Sequence, residues 1–275
     1  MSIDDKISRD QERRGGLSKD PEFALLQHRL NKLYGPEDEM SPTDVAYCEE
    51  AENDFDKRSE AGIGGEYNII FGINKLRWLG KKVQLSPTAK YDDYKNGVDS
   101  LLSIGGNAQN YYLGIDVKTY YNRELIKEAR QKMLGRLFGF KKGTEEIELD
   151  KNGKFTGQLA SLKYGLGEDI KYFPRIVMEM NPEYALRMMK IITKLKEGEE
   201  IKEAGELKDE EKYVLEKIKN QFITEVESQI KEIIKVADAL KESSMGKRVV
   251  KELDVIRDKY AKFLEIFVKE KGALI

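Results

Sequence analysis

The sequence predicts an α/β protein: a mixed β-sheet core flanked by helices, with a helical segment before it and a long helical hairpin after it. Three observations carry this. Between residues 83 and 180, short apolar runs alternate with polar residues at period two and are separated by turns containing Gly, Pro or Asn, which is the pattern of strands. A helical stretch, "NRELIKEARQKMLGRLFG", interrupts those strands. Residues 209–269 then carry apolar side chains in steps of three and four.

In chain order, residues 1–20 are polar and weakly patterned, and a flexible arm is expected there. "PEFALLQHRLNKLYG" places Phe23, Leu26, Leu30 and Leu33 at helical spacing and stops at Gly35-Pro36. "SPTDVAYCEEAENDFDKRSEAG" opens with Ser41 and Thr43 as cap candidates around Pro42, and it predicts a second helix ending near Gly62. After "GIGG", a third helix sets Ile69, Ile70, Ile73 and Leu76 on one side, and Gly80 closes it. "KKVQLSP" reads as a short strand.

Lys95-Asn96-Gly97 reads as a turn that leads into a strand through Ile104. "GGNAQ" is a hairpin-type connection and "YYLGIDVKTYY" the return strand. After the interrupting helix, "KKGTEEIELDKNGKFTG" holds a polar turn, Lys151-Asn152-Gly153, between two extended pieces. "GQLASLKYG" and "YFPRIVMEM" are two further strands suited to the same mixed sheet, and Pro174 puts the second at its start or on an edge. "NPEYALRMMKIITKLKEG" is helical. The hairpin follows, with Val214, Ile218, Phe222, Val226, Ile230 and Ile233 on one arm, Leu253, Ile256, Tyr260, Phe263 and Phe267 on the other, and "KESSMGK" as the bend. The chain thus divides into residues 1–62 (arm and helices), 63–183 (α/β core) and 184–275 (C-terminal helical region).

Composition narrows the chemistry. The 275 residues are 40% hydrophobic and 36% charged, with a formal net charge of -2. Bulk charge makes no case for a polyanionic partner, so one would need a local basic groove. Cys48 is the one cysteine and His28 the one histidine, which excludes an intrachain disulfide, a Cys metal cluster and a His-rich zinc site. Hydrolytic chemistry is left to carboxylates, lysines and a hard metal ion. Cys48 and Trp78 read as packing residues, and His28 as an ordinary helix residue. The first ten residues hold no apolar signal core, and no run of about 18 apolar residues occurs, so a cytoplasmic location without a membrane partner is expected.

"NYYLGIDVKTYYN" is the segment that carries chemistry. Strand alternation puts Gly114, Asp116, Lys118 and Tyr120 on one face and Leu113, Ile115 and Val117 on the core face. Gly114 leaves space on the first face for a ligand or another backbone. Asp99, on the preceding strand, is about as far before the hairpin turn as Asp116 is after it, so the two carboxylates are expected side by side. Neighbouring carboxylates repel unless a cation joins them. A hard divalent ion such as Mg²⁺ (or Mn²⁺) held by one or two carboxylates plus waters is one solution. The other reading is an Asp–Lys ion pair on a solvated sheet face, worth little to stability.

These residues resemble the PD-(D/E)xK nuclease superfamily, the restriction-endonuclease-like fold. "GGEYNIIFGINKLRWLGKKVQL" resembles its Glu-bearing helix, "NGVDSLLSI" its Asp strand, "YLGIDVKTY" its (Asp/Glu)-x-Lys strand, and "NRELIKEARQKML" the helix that follows. The likeness covers roughly residues 60–135, and Val98-Asp99 stands where the family name has Pro-Asp. It implies a metal-dependent phosphodiesterase acting on nucleic acid, with DNA as the expected substrate. Asp99, Asp116 and the Val117 carbonyl would hold metal, Lys118 would activate water, and Glu66 would assist metal or water. Read by itself, Glu66 is a helix N-terminal residue favoured by the dipole.

Lys81, Lys82, Lys141 and Lys142 are candidate phosphate contacts, and Tyr120, with Tyr111, Tyr112 and Tyr121, is a candidate base-stacking residue. Asp92 and Asp93 read as turn residues or outer partners of the site. The competing function is a non-catalytic nucleic-acid-binding or assembly protein, its C-terminal helices serving a homodimer or another partner.

Overall fold

The computed structural model describes residues 40–55, 60–105, 110–119, 123–164, 170–194 and 207–272. The expected arm, the helix around His28, and Tyr120 lie outside the described residues. Seven α-helices are described: α1 (Pro42–Phe55), α2 (Glu60–Asn74), α3 (Lys90–Asn96), α4 (Arg123–Phe138), α5 (Pro182–Lys194), α6 (Asp209–Lys241) and α7 (Val250–Gly272). The strands are β1 (Val83–Pro87), β2 (Ser100–Gly105), β3 (Asn110–Lys118), β4 (Ala160–Leu162), β5 (Ile170–Phe173) and β6 (Arg175–Glu179).

The main sheet is mixed, in the order β1-β2-β3-β6. β2 pairs antiparallel with β1 and with β3, and β6 lies parallel to β3. Pro174 is where the sequence expectation divides. It has no N–H to give to a ladder, and the chain changes sheets there: β5 pairs only with β4 in a separate two-stranded sheet, and β6 starts afresh on the edge of the main one. The residues around 160 therefore do not extend the mixed sheet.

One face of the main sheet meets the large core. Leu113, Ile115 and Val117 of β3 join Leu85, Leu102 and Ile104 against apolar residues of α2, α5, α6 and α7. The other face is covered by a smaller cluster of Val98, Leu101, Leu162, Ile170 and Phe173. A Cβ on Gly114 would sit 2.9 Å from the Phe173 ring and 3.1 Å from Val98. The space at Gly114 is thus taken by packing side chains.

The glycines of "GIGG" do not end a helix; α2 runs straight through them. They let α2 approach its neighbours closely. A Cβ at Gly65 would fall 2.5 Å from Thr119 Cγ2, and one at Gly64 would meet the Met189 thioether. Gly65→Ala is expected to destabilise the fold by about 1–3 kcal/mol through overpacking, despite a helix-propensity gain near 1 kcal/mol. Urea midpoints check this, and Thr119→Ala should return part of the loss in the double variant.

α2 ends at Asn74, short of Gly80. The chain then turns so that the Trp78 ring folds back over Gly72, where a Cβ would lie 2.3 Å from it. The Lys95-Asn96-Gly97 segment is the end of α3, with Gly97 as its left-handed cap (φ 62, ψ 47).

Side chains meet backbone groups on both edges of the main sheet. The Asn74 amide exchanges two hydrogen bonds with the Leu85 backbone on β1 (2.7 and 2.9 Å). On β6, the outward residues alternate and each finds a partner on the C-terminal hairpin. Tyr260 Oη accepts from the Arg175 N–H (2.9 Å) and donates to its carbonyl (2.7 Å). The Gln229 amide does the same for Val177 (3.2 and 2.7 Å), and Gln221 donates to the Glu179 carbonyl (2.9 Å). The apolar stripes of α6 and α7 are buried in the same core as the sheet. A homodimer through these helices would use their outer faces, where Tyr213, Val255 and Val268 are exposed. Among the described residues no helix is long and apolar enough to cross a membrane.

Candidate functional site

Asp99 is placed by the exit from α3. Gly97 closes that helix with its N–H on the Asp93 carbonyl (2.8 Å), and Val98 turns into the smaller core. Thr88 then pins the next two residues: its N–H donates to the Asp99 carbonyl (3.0 Å) and its hydroxyl to the Val98 carbonyl. Asp99 thus stands one residue before β2. The β2–β3 register pairs Ser100 with Ile115, and its next step sets Asp99 opposite Asp116. The Asp99 carboxylate reaches across, and its Oδ2 accepts the Val117 N–H at 2.8 Å.

Within a strand, the N–H and C=O of one residue point to the same edge. Gly114 and Lys118 use the β6 edge, with the Gly114 N–H on the Pro174 carbonyl and the Lys118 carbonyl on the Met180 N–H. Val117 accordingly turns its backbone toward Asp99. Its carbonyl lies on the edge where the Asp99 carboxylate sits, beyond the end of the β2 ladder.

Asp116 is 4% exposed. The Lys118 ammonium lies against its Oδ1, and Arg175 Nη2 lies 3.4 Å from its Oδ2. Burial, with the Asp99 charge adding to it, pushes the Asp116 carboxyl up to about 6, against the pull of Lys118 and Arg175. Burial alone would lower the Lys118 ammonium. The Asp99 and Asp116 carboxylates outweigh it and hold Lys118 above its ordinary range, with Asp93 contributing. The lysine therefore stays charged at neutral pH. Its side chain is 27% exposed, whereas that of Asp116 is 6% exposed, so solvent reaches the group from the Lys118 side.

Asp99, Asp116, Lys118 and Val117 are thus brought together. Glu66 is buried in α2, one residue from the Gly65–Thr119 contact that packs the helix against the end of β3. It is not among the main charges acting on Asp116 or Lys118, and among the described residues no three His, Cys, Asp or Glu side chains gather into a metal-holding group. Lys81 and Lys82 stand at the opposite end of the sheet. The Lys82 carbonyl accepts the Gly105 N–H, whereas Pro87 is the β1 residue paired with Ser100. Lys82 is within 3.7 Å of Glu270. Lys141 and Lys142 are exposed on the turn after α4. Asp92 is a helical residue, not a turn residue. From inside α3 its carboxylate accepts the Lys163 and Tyr164 N–H groups (2.8 and 2.9 Å), tying α3 to the end of β4.

The residue that sequence reasoning misses is Arg175. Its position just after Pro174, ahead of the apolar run "IVMEM", is visible in the sequence, but only the parallel pairing of β6 with β3 sets it beside Asp116. Comparison of the chain with family models, with curated proteins and with solved structures found no match.

Proposed function

We propose that this chain is a divalent-metal-dependent nuclease that hydrolyses phosphodiester bonds, with DNA as its substrate. The observation that carries the reading is the convergence of Asp99 and Asp116 across β2 and β3, with Lys118 on the carboxylate of Asp116. The element order supports it too, since the Glu66 helix precedes the Asp99 strand, the Asp116/Lys118 strand and a helix. That is the arrangement the resemblance to the PD-(D/E)xK superfamily implies.

The donor set fits Mg²⁺ or Mn²⁺. Two carboxylates and a backbone carbonyl are hard oxygen ligands, and these ions keep several waters. Burial raises the Asp116 carboxyl most, and the Asp99 charge adds to it, as two anions do when they share a site. Asp99, Asp116 and the Val117 carbonyl would hold the ion, which when bound lowers the pKa of water and polarises a phosphoryl oxygen. In the reaction, a water oxygen attacks phosphorus and gives up its proton to solvent, and the bond from phosphorus to the leaving sugar oxygen breaks. The leaving oxygen takes up a proton from solvent. Lys118, held protonated, donates a hydrogen bond to the attacking oxygen as negative charge collects there.

A cleft of about 650 Å³ on another part of the surface supports a nucleic-acid ligand. Tyr111, Tyr112 and Tyr172 line it together with Lys171, Lys259 and Lys262 and one acid, Asp258. Tyr172 is 64% exposed and has φ 60. An exposed ring held in a sparsely populated backbone region belongs to the class of strain that clusters at functional sites, and base stacking on aromatic rings between cations is how single strands are bound.

Incubation of the protein with DNA and RNA in Mg²⁺, Mn²⁺ or EDTA tests the reading. Cleavage is expected with either ion and none with EDTA. Lys118→Met should lower kcat by about 10²–10³-fold, the cost of one lost transition-state donor, with little change in KM. Absence of cleavage under every metal, or cleavage untouched by Lys118→Met, overturns the proposal. A second reading is favoured by one observation: Asp116 is buried between two cations. In that reading the triad is structural and the chain binds or assembles without catalysis.

A further inference from the structure

Arg175, which reaches Asp116, also lines a cleft of about 240 Å³ formed where α4, residues 158–161 and the end of α3 face α7. Its charged lining residues are Lys95, Arg136 and Arg175; Asn96, Gln158 and Ser161 add polar groups, and among the described residues no Asp or Glu lines it. Three cations without an acid give this cleft a local positive charge that the net charge of -2 does not show. The lysine and one arginine stand at the exposed rim, while Arg175 is the buried member, its side chain only 12% exposed.

Arg175 is held in place from several directions. Tyr260 grips its backbone N–H and C=O. Its Nη1 donates to the Asn96 carbonyl, and its Nη2 faces Asp116 at 3.4 Å. Gly97 makes room for the guanidinium, since a Cβ there would come 3.0 Å from Nη2. Its Nε is buried and has no hydrogen-bond partner among the described protein groups. A guanidinium fixed by packing at the floor of a cleft that no acid lines presents charge and planar donors together, which is what recognition of a phosphate group uses.

We propose that this cleft is a phosphate subsite. Arg175 forms its floor and Lys95 and Arg136 its rim. It takes the phosphoryl group of a nucleic acid next to the bond presented to Asp99 and Asp116. Identifying the ligand as nucleic acid rests on the nuclease reading above; the anion chemistry stands without it. Arg175 is in this view a substrate-binding residue that touches the site's carboxylate on one side and the anchored phosphate on the other.

The test is binding to the full chain in EDTA, where no cleavage interferes. The probes are inorganic phosphate and single-stranded oligonucleotides with a 5′-phosphate or a 5′-hydroxyl, each titrated over a range of salt concentrations. The double variant Lys95→Ala/Arg136→Ala removes two exposed cations. It is expected to weaken oligonucleotide binding at least tenfold and to flatten the salt slope by about 1.4, given about 0.7 per phosphate contact on a single strand. Lys95→Gln/Arg136→Gln gives the same comparison with side-chain bulk kept, should the alanine pair melt early. A 5′-phosphate preference that the double variant abolishes marks a terminal phosphate as the ligand. Equal binding of both oligonucleotides, both weakened in the variant, marks an internal phosphodiester. Wild-type affinity and slope in both double variants overturn the subsite. The failure of the nuclease reading looks different: no cleavage with any metal, while binding stays sensitive to the double variant.

Discussion

Asp116→Asn is expected to abolish Mg²⁺-dependent cleavage and, with it, the rise in melting temperature that Mg²⁺ gives the wild type. The loss of activity should be about 10³-fold or more. Lewis-acid stabilisation of the reaction is worth several kcal/mol, and each 1.4 kcal/mol is tenfold in rate. At 100 times its Kd the ion should stabilise the wild type by about 2.7 kcal/mol, roughly 5–10 °C in a chain of this size. The amide keeps the shape of the carboxylate but supplies no charge for the ion, so the shift should vanish along with the activity. Cleavage assays and melting curves with and without Mg²⁺, on wild type and variant together, check both. A wild-type Tm indifferent to Mg²⁺, with the variant merely less stable, points to a structural triad of Asp116, Lys118 and Arg175.

The second large effect is in pH. Burial and the Asp99 charge hold the Asp116 carboxyl up to about 6, above its ordinary value of 3.8. A raised carboxyl means that the folded chain binds a proton more tightly than the unfolded chain does. This group's contribution to stability is therefore greatest below about 3.8. It falls as pH rises toward 6 and stays at its low level above that. Metal binding runs the opposite way, because the ion needs the carboxylate. Mg²⁺ affinity should be flat above pH 6 and fall about tenfold for each unit below it, with one proton released per ion bound in that acid range. Calorimetric titrations in two buffers of different ionisation enthalpy at pH 5.5 measure the proton. Asp116→Asn should abolish both the release and the steep acid limb. An affinity unchanged between pH 7 and 5 would remove Asp116 from the ligand set.

Much of this arrangement is legible in the sequence because it is local. The distances of Asp99 and Asp116 from the hairpin are equal, so any undisturbed antiparallel pairing brings them together, and the register sets them opposite one another. The apolar steps from Val214 to Phe267 define the hairpin by periodicity alone. What escapes the sequence depends on distant partners. The glycines at 64 and 65 look like a break until Met189 and Thr119 are known to press on them. Gly114 looks like an opening until Phe173 and Val98 fill it. Arg175 is 59 residues from Asp116 in sequence, and its place beside that carboxylate needs the parallel pairing of β6 with β3. The motif strand announces its own carboxylate and lysine, but not the second cation that the fold delivers from elsewhere.

The side chains that close the main sheet have a consequence for the chain during its synthesis. Strand edges with unsatisfied backbone groups recruit other strands, including those of other molecules. Asn74 can meet the Leu85 backbone on the β1 edge as soon as residues 74–85 are made. The β6 edge is sealed only by Gln221, Gln229 and Tyr260, which leave the ribosome after the sheet itself. A nascent or truncated product ending near residue 200 would carry a complete sheet with one adhesive border. Such a product is expected to aggregate more readily than the finished chain, in which Gln221, Gln229 and Tyr260 meet that border.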